Sequence, residues 1–177
     1  MKLRPIISED SIQRRVAELA SRIRSDYAGR ELTIIGVMKG SMFFLVDLVR
    51  KLGRPVCVDV ISVASYRGTA STGTPEIQMP PSIDLQGRHV LVVDDVLDTG
   101  LTLAHVLCHL HERGVASAKV CVLLTKKVLR AADVSADYSG FELDGEFVVG
   151  YGLDFNGQYR HLPYIAILLF EEAAGTA

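Results

Sequence analysis

The chain predicts an α/β fold, a parallel twisted sheet flanked by helices, on three observations. Short apolar runs alternate along the chain with amphipathic helical patterns. Several of those runs, LTIIGV, HVLVV and AKVCVLL, are apolar at nearly every position, as strands covered on both faces are. A length of 177 residues at 49% hydrophobic content suits a single domain, residues 1–177, with a full core.

The elements follow in order. Ser8 precedes Glu9 and Asp10, and Ile12, Val16, Leu19, Ala20, Ile23 and Tyr27 recur at helical spacing. This predicts a helix with an N-cap and an acidic first turn, stopped at Gly29. Leu32 to Val37 is a buried strand, Met38 to Ser41 a turn, and Met42 to Leu52 an apolar helix ended by Gly53 and Pro55. Val56 to Val63 is a β-branched strand. Ser65 to Gln86 is rich in Ser, Thr, Gly and Pro; a loop of this length in a compact domain is often a functional lid, with short strands expected around Pro75 to Ile83. His89 to Val93 is a third strand, Leu101 to Arg113 a helix stopped by Gly114, and Ala118 to Leu124 a fourth strand. Phe147 to Val149 and Tyr164 to Leu169 are further strand candidates.

Composition excludes several classes. With 19 Lys+Arg against 21 Asp+Glu, the net charge of −2 gives no basic face for nucleic acid. The start, MKLRPIISED, lacks a signal peptide's apolar core, and Ile165 to Phe170 is too short to span a bilayer. A soluble cytoplasmic protein without a membrane partner is expected. Cys57, Cys108 and Cys121 are odd in number, have no CxxC spacing and sit in apolar surroundings, which reads as buried free thiols.

In parallel sheets ligands bind beyond the carboxyl ends of strands. One such end runs VLVVDDVLDTGLTL, Val90 to Leu103. Asp98-Thr99-Gly100-Leu101-Thr102 opens a helix whose free N–H groups and positive end suit an anion. Gly100 permits close approach, and Thr99 and Thr102 add hydroxyl donors. The Walker pattern GxxxxGK[ST] is absent. Asp94 and Asp95 suit sugar hydroxyls or a magnesium ion instead. Donors for phosphate beside acceptors for ribose describe a site for a phosphorylated sugar. The plainer alternatives are a solvated strand end or the paired acids of a receiver-type domain. Asp98 also fits as the helix N-cap. His105 and His109 stand at i, i+4, a spacing metals use, but with Glu112 they read as a solvated face because Leu103, Leu107 and Leu110 supply the buried stripe.

The segment resembles the phosphoribosyl-diphosphate (PRPP) loop of type I phosphoribosyltransferases: apolar strand, two acids, two apolar residues, then D-T-G-x-T. Nearly the whole chain resembles their hypoxanthine-guanine subgroup, which implies a small hood formed by the chain ends and a homodimer or homotetramer. The resemblance makes Val37-Met38-Lys39-Gly40-Ser41 a diphosphate-binding turn, with Lys39 and Gly40 in contact and Arg160 joining them. It makes Ser65 and Tyr66 the opening of a mobile loop. Lys126 would read the purine oxo group, although a solvated Lys126-Lys127 pair at a strand end fits the residues as well. Phe147 would stack on the base and the Val148 carbonyl accept from its edge. Asp94, Asp95 and Asp154 would meet the metal, Mg2+. The implied reaction transfers the phosphoribosyl group of PRPP to hypoxanthine or guanine, giving IMP or GMP and diphosphate, with Asp98 at purine N7 as the catalytic acid–base group. A xanthine-guanine preference, or a fold-related regulatory RNA-binding or uracil phosphoribosyltransferase protein, is the alternative. The family's loop opens on glutamate; the shorter Asp94 is expected to reach ribose through water.

Overall fold

The computed structural model describes residues 1–64 and 76–169. The expected lid opening, Ser65 and Tyr66, lies outside the described residues.

Nine strands and three helices are described, in the order β1 (Lys2–Ile7), α1 (Glu9–Asp26), β2 (Thr33–Met38), α2 (Met42–Leu52), β3 (Cys57–Ala64), β4 (Glu76–Met79), β5 (His89–Leu97), α3 (Leu101–Glu112), β6 (Ser117–Lys126), β7 (Tyr138–Leu143), β8 (Val148–Val149) and β9 (Ile165–Leu169). The main sheet has the order β4-β3-β2-β5-β6-β7. The pairs β3–β2, β2–β5, β5–β6 and β6–β7 are parallel, and β4 alone runs antiparallel, at the edge.

The strands are apolar on both faces because both faces are covered. In β5, Leu91 and Val93 point into one core with Ile12 and Val16 of α1 and Phe44 and Leu48 of α2. Val90 and Val92 point the other way, into a second core with Leu103, Val106 and Leu110 of α3. Period-two alternation thus serves two helical layers. The α1 stripe forms as read: Ile12, Val16, Leu19, Ala20 and Ile23 are buried, and the Ser8 hydroxyl accepts from Ser11 N at 3.3 Å. Gly53 closes α2 in the left-handed region, φ 61°, where glycine carries no Cβ penalty.

A second, three-stranded sheet has the order β1-β9-β8 and joins the two ends of the described chain, as the implied hood requires. Its Ile7, Val148, Ile165 and Ile167 share the core of α1 and α2.

Three elements depart from the sequence reading. β1, KLRPII, carries two cations and a proline and has no strand pattern of its own; antiparallel pairing with β9 makes it a strand. β7, YSGFEL, is an edge strand held by β6. The third strand does not stop at Val93 but continues to Leu97, paired with β6 as far as Thr125, so both acids lie inside the sheet.

Candidate active site

Register builds the site. Leu97 of β5 pairs with Thr125 of β6, so Asp98, the first residue past β5, comes beside Lys126, the last residue of β6. Gly36 of β2 lies beside Val93, and the chain past Met38 comes round against Asp95. A cavity of about 230 Å³ opens where these strands end, lined by Gly40, Asp94, Asp95 and the turn Asp98, Thr99 and Gly100, with Thr102 from α3. Leu101 is 41% exposed and is not among its lining residues.

The helix behind the turn starts without a side-chain cap. Gly100 is the N-cap, at φ 86°, and Asp98 does not cap. The N-cap reading of Asp98 is therefore corrected: the left-handed glycine turn, not a carboxylate, opens α3. Gly100 also sits against the Ala132 carbonyl, and Thr99 O accepts from Ala131 N at 2.9 Å and Ala132 N at 3.3 Å.

Asp94 is buried and Asp95 half-buried. Burial pushes the Asp94 carboxyl well above the usual range, and the neighbouring Asp95 charge adds to the shift. Burial likewise raises Asp95, against the pull of its hydrogen bonds and of the Arg160 charge. Among the described residues no salt bridge reaches either carboxylate. A buried and a half-buried carboxylate with no ion-pair partner among the described residues form an oxygen donor set of the kind hard cations take. Asp154 is not beside them in that set. It pairs with Arg160 at 2.6 Å and accepts from Gly157 N at 2.7 Å. Among the described residues no three His, Cys, Asp or Glu side chains form a metal cluster. A magnesium ion here would draw on one or two carboxylates and complete its shell with substrate oxygens and water, which is its ordinary habit.

Arg160 also donates to Gly152 O at 2.5 Å. A Cβ on Gly152 would overlap Gly40 O, and one on Gly40 would overlap the Asp95 carboxylate. Three distant segments therefore stack at a spacing only glycine allows. Gly40 was singled out in the sequence and Gly152 was not; the structure shows Gly152 at φ 103°, a conformation that favours glycine. Lys39 is exposed beside this stack, after a cis Met38–Lys39 peptide.

The two lysines separate clearly. Lys126 is 14% exposed and its Nζ lies 3.3 Å from Asp98 Oδ2, whereas Lys127 is 59% exposed and pairs with Glu142 and Asp144. Phe147 is 44% exposed and meets Phe155 edge-on at 5.8 Å between centroids. Leu168 N donates to Phe147 O, so in the antiparallel ladder the neighbouring residue, Val148, turns its N–H and C=O away from β9. β8 ends its sheet, which leaves that edge open to a ligand.

Other expectations need correction. Cys121 is buried and its thiol is raised, but Cys57 is half-buried and Cys108 exposed, because α3 turns Cys108 away from Leu103, Val106 and Leu110. The histidine face of α3 is less solvated than its spacing implies: His105 and His109 are half-buried, and His109 Nε2 is buried with no hydrogen-bond partner among the described residues. Among the described residues no helix is long and apolar enough to cross a membrane.

Comparison with known proteins agrees with this geometry. The phosphoribosyl transferase domain family matches residues 8–156. The hypoxanthine-guanine phosphoribosyltransferase of Streptococcus pneumoniae is 41% identical over 164 residues, covering 92% of this chain and 91% of that protein. The hypoxanthine-guanine-xanthine phosphoribosyltransferase of Tritrichomonas foetus is 42% identical over 166 residues, covering 93% and 91%. A crystal structure of a hypoxanthine-guanine phosphoribosyltransferase from Bacillus anthracis matches with a TM-score of 0.90 at 38% identity, over 95% of this chain and all of that one. With the strand-to-helix turn and the paired acids both inside the family match, and these relatives matching nearly the whole chain, the chain belongs to the phosphoribosyltransferase family.

Proposed function

We propose that this protein is a 6-oxopurine phosphoribosyltransferase of purine salvage, transferring the phosphoribosyl group of PRPP to hypoxanthine or guanine. One observation carries the choice of base: Lys126 Nζ and Asp98 Oδ2 lie 3.3 Å apart where β6 and β5 end. A charged lysine only donates and a carboxylate only accepts. Side by side, they complement the oxo group at position 6 and the N–H at position 7 of a 6-oxopurine. Adenine would turn its amino donors onto the ammonium.

Each residue then has a physical task. Thr99, Gly100, Leu101 and Thr102 hold the 5′-phosphate at the start of α3, an anchor remote from the reacting carbon. Asp95 accepts from the ribose hydroxyls, and the shorter Asp94 does so through water. Lys39, the Gly40 backbone and Arg160 receive the diphosphate, Arg160 by leaving Asp154. Phe147 stacks on the base and the Val148 carbonyl accepts from its far edge. Purine N9 attacks the anomeric carbon, the bond from that carbon to the diphosphate oxygen breaks with its electron pair, and the N7 proton passes to Asp98. Magnesium, held by Asp94, Asp95 or Asp154 together with PRPP oxygens, would supply charge neutralisation on the leaving diphosphate. The reading further takes the chain as one domain, cytoplasmic, and a homodimer or homotetramer. Support for self-association is the exposed apolar patch of Met42, Phe43 and Val46 on α2.

A panel of purines and pyrimidines with PRPP and magnesium, followed by nucleotide detection, tests the proposal. Hypoxanthine and guanine should react and adenine should be poorer by orders of magnitude. Best turnover with adenine or uracil would overturn it.

A further inference from the structure

The anion turn is held from behind by a segment to which the sequence drew no attention. The Arg130 guanidinium donates to Leu97 O at 3.0 Å and to Asp98 O. The next two residues complete the grip, Ala131 N and Ala132 N donating to Thr99 O. Three successive carbonyls, 97 to 99, therefore face the 130–132 segment. In a trans peptide the C=O and the following N–H point in opposite directions. Holding the carbonyls of Asp98 and Thr99 on that side turns the N–H groups of Thr99 and Gly100 to the other, where the cavity lies. Neither N–H has a backbone partner among the described residues. Both bonds come from one nitrogen, Nη1, whose two N–H groups are fixed in the guanidinium plane and so reach two carbonyls in a set geometry, where an ammonium rotates freely.

We infer that Arg130 is a positioning residue of the phosphate site: it sets the peptide orientation that aims the turn's N–H groups at the 5′-phosphate of PRPP and of the nucleotide product. The inference rests on the reading of 98–102 as the phosphate site. Arg130 touches no reacting atom; it acts through the backbone. It stands four residues beyond Lys126, so one stretch of chain serves the base on one side and the phosphate turn on the other.

The test compares Arg130→Ala, Arg130→Lys and Thr102→Val with the parent. It reads KM for PRPP, KM for hypoxanthine and kcat, with IMP affinity by calorimetry and a thermal midpoint for folding. Arg130→Ala should weaken IMP and raise the PRPP KM by roughly tenfold to a hundredfold, the scale of misaligned hydrogen bonds to a charged group. The hypoxanthine KM should stay at the parent value, and millimolar guanidinium ion should restore part of the IMP affinity. Simple structural damage would instead lower kcat through loss of active protein, leave both KM values alone and resist rescue; that result overturns the inference, as does parental IMP affinity in Arg130→Ala. If Arg130→Ala does not fold, Arg130→Lys decides: IMP affinity should fall relative to the hypoxanthine KM, and an unchanged ratio overturns the inference. Thr102→Val separates the two levels. If it weakens IMP while Arg130→Ala does not, only the role of Arg130 fails; if it leaves IMP affinity intact, the phosphate-site reading fails.

Discussion

Asp98 stands between two tasks that its neighbours divide. Its backbone belongs to the turn gripped by Arg130, while its carboxylate faces Lys126. Because Gly100 and not Asp98 is the N-cap of α3, replacing the carboxylate removes no cap. The Lys126 pair is partly solvated, with Asp98 46% exposed, and such pairs contribute about 0–1 kcal/mol to stability. Asp98→Asn should therefore keep the fold and the PRPP requirement. Turnover should fall about a hundredfold to ten-thousandfold for want of a proton acceptor at N7, or roughly 3–5 kcal/mol of barrier. Steady-state rates beside a thermal melt measure both effects. Near-parental turnover, or loss of PRPP binding as the main defect, would remove Asp98 from the role given to it.

At the scale of elements, Asp59 of β3 ties down the return leg of the long connection to β5. Its carboxylate accepts from Val60 N at 2.8 Å, Ser82 N at 2.7 Å, Ser82 Oγ at 2.9 Å and Ile83 N at 3.1 Å. Burial by itself would raise this carboxyl, but the hydrogen bonds together outweigh it and hold it below the usual value. A depressed folded-state value means that the contribution to stability is present above the unfolded value and is lost as pH falls through the folded one. Asp59→Ala should thus destabilise the protein at neutral pH by about 0.5–1.5 kcal/mol, the net scale of hydrogen bonds whose donors are exposed or half-buried and can turn to water. Melting temperatures of parent and variant should converge below about pH 4, the ordinary carboxylate range. A gap that stays constant down to pH 3 would show that packing rather than the charged hydrogen bonds sets the loss.

Across the whole molecule, the parallel sheet supplies the turn that opens α3 and the paired acids, while the hood supplies Phe147 and Val148, and the Gly40–Gly152 contact joins the two. Adding a diphosphate to a site that already holds Asp94 and Asp95 is unfavourable without a cation. Unit like charges about 4 Å apart repel by about 4 kcal/mol at an effective dielectric near 20, close to a thousandfold in affinity. PRPP affinity measured by calorimetry should fall by that order in excess chelator and return with added magnesium. Equal affinity with and without metal would withdraw Asp94, Asp95 and Asp154 as metal ligands.

What the amino-acid order determined by itself is what local physics controls. Period 3.6 in α1, continuous apolar runs in β2, β5 and β6, and glycine stops after α1, α2 and α3 each act within a few residues, and all appear where they were read. The turn that opens α3 was legible for the same reason, since a glycine turn and the helix start after it are built from consecutive residues. The tertiary structure alone decided whatever depends on partners far along the chain. β1 is a strand because β9 pairs with it, and β5 continues past its acids because β6 continues beside it. Lys126 rather than Lys127 faces the site because the β5–β6 register sets it against Asp98. Arg130 and Gly152 carry no local pattern; one matters through carbonyls 32 and 33 residues before it, the other through Gly40 on the far side of the stack. Side-chain periodicity reports which face is buried, but not which distant backbone will come to lie against it.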